Sequence, residues 1–240
     1  MLAARRSTAL RWPASWLRLR YSVLLTTQLL VFLVYPFLID GPWGPAILGV
    51  FVSATVLSAA QCLEPSDRRI GFFLAWPTAL LFWVAIATDD PRFLLAMSVI
   101  GTVCLAFLSS RIFLHALQIE RVSIEKVQGS LAVFLLLGLN WALVYAILEI
   151  FRPGSFALGL TANAPATVQI AGTHLRVFSH LLFHSYMTLC ATSYGNVAAV
   201  TAPALALSAF ETLVGQLYQA VLVGQLMGLH LAFHKSRPSP

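Results

Sequence analysis

The chain has 240 residues, 59% of them hydrophobic and 10% charged, with a mean hydropathy of +0.82. Soluble domains carry about 25% charged residues, so a soluble globular protein is excluded and an all-α integral membrane protein is expected. The net charge of +6 would suit nucleic acid, but the basic residues are scattered over short loops with no soluble domain to present them, which leaves anionic lipid headgroups as their partner.

The first segment, 1–20, holds Arg5, Arg6, Arg11, Arg18 and Arg20 with Trp12 and Trp16. It reads as an interfacial helix leading into the membrane. The apolar run that follows, 21–39, is too long for a signal-peptide core and lacks a small-residue cleavage site. Apolar stretches near 20 residues suffice to cross a bilayer, and six are expected: 21–39, 45–62, 70–88, 93–110, 130–151 and 203–233. Tyr35-Pro36, Gly41-Pro-Trp-Gly-Pro45 and Ala75-Trp-Pro77 mark kinks or turns, tolerated where neighbours satisfy the freed carbonyls.

The first four spans form a region at 21–110. The fourth contains neither Arg nor Lys, whereas a voltage sensor needs several gating charges inside the membrane, each worth about 2.3 kcal/mol per 100 mV. Arg111 and His115 at its end do not make a ladder, so this half is read as a jacket around the rest. Residues 111–129, with Glu120, Arg121, Glu125 and Lys126, are expected to form a solvated linker helix or a coupler on the cytoplasmic surface. Span 130–151 ends in Glu149 beside Arg152, read as an interfacial pair, and 153–172 is an irregular external turret. Cys62, Cys104 and Cys190, the three cysteines, form no metal-ligand or CxxC spacing and read as small apolar residues.

Orientation follows from the basic residues flanking the spans. Of the fifteen, all but Arg92, Arg152 and Arg176 fall on one side. Both termini are therefore expected in the cytoplasm, the chain being a multi-pass protein of the inner (plasma) membrane with a short tail at 235–240. No appended cytoplasmic ligand-binding domain is expected.

Between the last two spans lies Thr188-Leu-Cys-Ala-Thr-Ser-Tyr-Gly-Asn196, a polar stretch between apolar ones. Non-helical backbone at membrane depth survives only when buried in protein or facing water, so a re-entrant loop is expected, preceded by a short helix over His180-Leu-Leu-Phe-His-Ser-Tyr-Met187. His180 and His184 share a helical face, with His174 upstream, and no Glu or Cys completes a metal set. Packing behind the loop is the default, with external pH sensitivity as the alternative.

With Phe183-x-x-Tyr-Met-Thr-Leu-x-x-x-x-Tyr-Gly-Asn196, Val200-Thr-Ala-Pro203 and Glu211-Thr-Leu-Val-Gly-Gln-Leu-Tyr218, roughly residues 120–232 resemble the pore module of bacterial potassium channels: outer helix, pore helix, filter, inner helix. The resemblance implies a pore domain at 130–234, a homotetramer with a central axis, and potassium or another monovalent cation as the permeant species, with no cofactor. A heteromer with a relative bearing a conventional filter is the alternative assembly.

The family filter reads Thr-Val-Gly-Tyr-Gly followed by Asp, and the aligned residues here are Ala191, Thr192, Ser193, Tyr194, Gly195 and Asn196. Such a filter replaces an ion's hydration shell with rings of backbone carbonyls. Ser193 stands at a glycine position, where a left-handed conformation costs roughly 1–2 kcal/mol. Ala191 lacks the family's threonine hydroxyl, and Asn196 removes a carboxylate from the outer mouth. The resemblance further assigns Gly215 to the flexible position of the inner helix. Helical spacing from there puts Gln216, Gln219, Val223 and Met227 on a cavity-lining face. Thr188, His184 and Glu211 are read as filter support, the last facing the back of the pore helix and bonded to Thr192, Ser185 or a histidine.

The expected function is a tetrameric potassium or cation channel; the alternative is a channel-derived subunit that is non-selective or non-conducting. An intramembrane enzyme would need clustered acids and histidines, whereas Asp89-Asp90 lie in a turn and Glu64 and Asp67 in a short loop. A secondary transporter would show paired broken helices in two related halves, and this chain has one such feature.

Overall fold

A computed structural model of the chain describes the backbone of residues 14–38, 43–118, 124–158, 174–192 and 197–235. Seven helices and one strand pair follow in the order α1 (Ala14–Leu38), α2 (Gly44–Cys62), α3 (Pro65–Thr88), α4 (Pro91–Gln118), α5 (Ile124–Phe151), β1 (Phe156–Leu158), α6 (His174–Leu189), β2 (Val197–Ala199) and α7 (Ala202–Lys235). Five are long and apolar enough to cross a membrane, over Gly44–Cys62, Pro65–Thr88, Pro91–His115, Val127–Phe151 and Ala202–Gly224. In α1 the apolar part among the described residues is the shorter Arg20–Leu33. Helix α6, at 16 residues, rises about 24 Å, less than the roughly 30 Å hydrocarbon core.

Local chemistry sets several boundaries. Helix α3 opens on Pro65 and closes on Asp89, which takes a left-handed φ of 47°. The next residue caps α4, Asp90 Oδ1 accepting the Arg92 N–H at 2.8 Å, as side-chain oxygens do at helix starts. The Asp89-Asp90 pair is thus committed to joining two helices. The expected linker helix over 111–129 is divided differently: 111–118 continue α4 and 124–129 begin α5, with 119–123 outside the described residues. The end of α4 is held by Arg111 Nε to Asp67 at 3.5 Å and His115 Nδ1 to Glu64 at 3.0 Å.

Helix α5 is the hub, packing against α1, α4, α6 and α7. It buries Ala132, Leu136, Leu139, Ala142, Tyr145 and Ala146 on one side and Ser130, Val133 and Phe134 towards the other. Helix α7 buries a single stripe of Ala204, Glu211, Gly215 and Tyr218, the narrow periodicity of one contact face. Helix α6 buries Phe178, Leu181, Leu182, Ser185 and Leu189. Helices α1 and α3 reach α6 directly: Phe32 of α1 stacks on Phe183 at 6.1 Å and meets Tyr186 edge-on at 5.3 Å, while Phe82 of α3 meets Phe178 at 6.2 Å. Gln28 of α1 donates from Nε2 to Ala132 O of α5 at 3.2 Å.

Candidate functional site

Strands β1 and β2 fix where the segment around α6 begins and ends. They pair antiparallel, Phe156 opposite Ala199 and Leu158 opposite Val197, and the Val200 N–H extends the ladder to Ser155 O at 2.9 Å. Because β1 follows α5 and β2 precedes α7, the chain leaves and rejoins the bundle at one end. Glu149 shapes that corner. Its Oε1 accepts the Gly154 N–H at 2.7 Å and its Oε2 the Phe156 N–H at 3.1 Å, so the expected partnership with Arg152 is replaced by backbone amides. Gly154, at φ 84°, supplies the left-handed turn that no side chain enters cheaply.

The far end of α6 sits deep between α5 and α7. Tyr186 donates its hydroxyl to Leu135 O at 3.0 Å, and Ser185 Oγ lies 2.7 Å from Gly138 O. Both glycines facing this end are required by contact: a Cβ on Gly138 would stand 2.4 Å from the Tyr186 ring, and one on Gly215 would stand 2.2 Å from Leu189 O. Thr212 Oγ1 lies 3.3 Å from Thr188 O and 3.0 Å from Ser208 O of its own helix. At 1.5 Å per residue, Gly138 and Gly215 each lie about 20 Å along their helices from the β-paired end. Helix α6 therefore descends from that end, and its last turn is gripped from both sides at matching depth.

Glu211 is fully buried at the centre of this grip. One carboxyl oxygen meets the Tyr145 hydroxyl of α5 and the other lies 2.5 Å from Ser185 Oγ of α6. Ser185 is among the partners anticipated from the sequence. Thr192 turns instead to Met187, its hydroxyl 3.2 Å from Met187 O, and His184 places Nε2 3.3 Å from Ser208 Oγ. The His184 ring packs against Tyr145 at 5.5 Å and Phe156 at 5.4 Å. Among the described residues no three His, Cys, Asp or Glu side chains cluster as a metal site requires.

Past α6 the chain makes a Schellman turn. The Ala191 N–H bonds Thr188 O and the Thr192 N–H bonds Met187 O, each at 2.9 Å, and Ala191 carries the left-handed φ of 54° that this turn assigns to the first residue beyond a helix. A left-handed non-glycine residue is thus present at Ala191. Ser193, Tyr194, Gly195 and Asn196 lie outside the described residues, as do most of the turret, most of the N-terminal basic segment and residues 236–240 of the tail. Ala191 and Thr192 are exposed, Gln216, Val223 and Met227 of α7 are exposed, and Gln219 is half-buried.

The structure thus brings together Thr188, His184, Glu211 and Gly215, and adds Tyr145, Gly138, Ser208 and Thr212, which sequence reasoning missed. Within the apolar run of α5, Tyr145 and Gly138 carry only weak signals. A hydroxyl and a missing side chain inside a span were the signals available. No protein-family model matches the chain, and neither a curated protein nor a solved structure matches it.

Proposed function

We propose that this chain is one subunit of a fourfold cation channel of the potassium-channel pore type. In this reading α1 to α5 and α7 are six spans, both termini are cytoplasmic, α6 is a re-entrant pore helix entering from the external face, and residues 191–196 line the ion path. The observation that carries the reading is the placement of α6: the segment that holds it leaves and rejoins the bundle at the β-paired end, while its last turn is locked against Gly138 and Gly215, about 20 Å from that end. A helix too short to span, held there between two long apolar helices, has its C-terminal dipole end in the protein interior, where it favours a cation. One chain supplies a quarter of such a filter, and closed fourfold symmetry supplies the rest. Gln216 and Gln219, costly towards lipid, line the water-filled cavity.

A second reading rests on the left-handed Ala191 and the replacements at Ser193 and Asn196: a channel fold that selects weakly or conducts only beside another subunit. Potassium and sodium flux into liposomes holding the purified protein separates the two, with a Ser193→Gly, Asn196→Asp variant alongside. Potassium-selective flux by the native chain supports the first reading. Leak or silence, with selective flux regained in the variant, supports the second. Silence in both overturns the channel assignment.

A further inference from the structure

The oxygens around Glu211 outnumber the hydrogens that a charged carboxylate would leave them. Ser185 Oγ lies 2.7 Å from Gly138 O and 2.5 Å from Glu211 Oε1, yet a serine hydroxyl carries one hydrogen. The carbonyl donates nothing, and the single hydroxyl hydrogen of Tyr145 is directed at Glu211 Oε2. With Glu211 ionised, one of the two close contacts of Ser185 would set lone pair against lone pair. Giving that hydrogen to the carboxylate would leave the contact to Gly138 O empty; giving it to Gly138 O would leave the contact to Glu211 empty.

We propose that Glu211 is held as the neutral acid and donates from Oε1 to Ser185 Oγ. Every short contact then contains one hydrogen, and the chain of donors runs one way: Tyr145 to Glu211, Glu211 to Ser185, Ser185 to Gly138 O. Three helices are joined by it, α5 at both ends, α7 in the middle and α6 between. Burial agrees, because an ionised carboxylate without a paired cation is far costlier to bury than a hydrogen-bonded neutral one. The titratable groups that face Glu211 are Tyr145 from α5, His184 from α6, whose Nε2 reaches Ser208, and Cys190 just beyond α6, within its electrostatic reach. On α7 itself its polar neighbours are the hydroxyls of Ser208 and Thr212. Glu211 is then a positioning residue that fixes the pore helix without contributing charge to an ion path.

This proton assignment goes beyond the channel reading and is read without any flux. Infrared spectra of the protein in lipid at neutral pH should contain the carbonyl-stretch band of a protonated carboxylic acid. The band is expected to vanish in Glu211→Gln, whose amide keeps the same donor and acceptor pattern, and to be displaced in Ser185→Ala, which removes the acceptor. Absence of the band in the native protein, or a band unmoved in both variants, would overturn the proposal. Should Glu211→Gln fail to fold, the displacement in Ser185→Ala decides alone. If the band behaves as expected and liposomes remain silent, the proton assignment stands and the channel reading falls.

Discussion

Helices α5 and α7 clasp α6 from opposite sides and are both apolar, yet 56% of the α5 span is buried within the subunit and 11% of the α7 span. Helix α5 spends most of its circumference on partners, leaving Val127, Leu131 and Phe151 exposed. Helix α7 spends one stripe, leaving Leu205, Phe210, Leu213, Leu217, Val221, Val223 and Met227 exposed. Lipid would tolerate that apolar face, but it tolerates glutamine poorly, and Gln216 opens onto the same side. Helix α5 is thus largely used up within the chain, whereas α7 leaves most of its surface uncovered there, and the proposed channel reading assigns that surface to neighbouring copies and a wet cavity.

Substitutions can break or sharpen this contrast, and the largest effect belongs to the α5 side. Leu136→Ala should cost about 2–5 kcal/mol, the range for a fully buried leucine, while Leu217→Ala should change the stability of a dissociated subunit little; thermal unfolding in detergent compares the two. Next comes overpacking against α6. Gly215→Val and Gly138→Val should each cost about 1–3 kcal/mol or more, whereas at Gly224, where an added Cβ meets nothing within 4 Å, alanine should be neutral within the subunit. Equal losses at Gly215 and Gly224 would mean that α7 is not gripped as described.

Single hydrogen bonds come third. Tyr218 donates to Ser130 O at 2.6 Å, and Tyr218→Phe should remove about 1 kcal/mol in the same unfolding assay. Smaller still, and opposite in sign, Ala191→Gly should stabilise by roughly 1 kcal/mol by relieving the left-handed alanine. A loss there would show that the turn past α6 does not depend on conformational freedom at that position.

Much of this architecture was legible because lipid forces backbone groups to be satisfied within each span, so helices announce themselves as long apolar runs. The difference between α5 and α7 was not, since core-facing and lipid-facing residues are equally apolar. Glu211 stood out as an acid inside a span, and Ser185 was among the partners anticipated for it. Its bond to Tyr145 lies 66 residues away in sequence and left no trace in spacing. Glu149 was misread because charge pairing is visible in a sequence and backbone amides are not. At Ala191 the reading of side-chain chemistry concealed the backbone role, closing a helix, which the geometry of α6 imposes.

The claim that the open face of α7 meets further copies of the chain is tested most directly by native mass spectrometry of the protein released from lipid discs. A dominant species of four chains is expected, reduced when Leu213 and Leu217 on that face are replaced by larger aromatic residues. A single-chain species at every protein concentration, in discs that keep the protein folded, would contradict it.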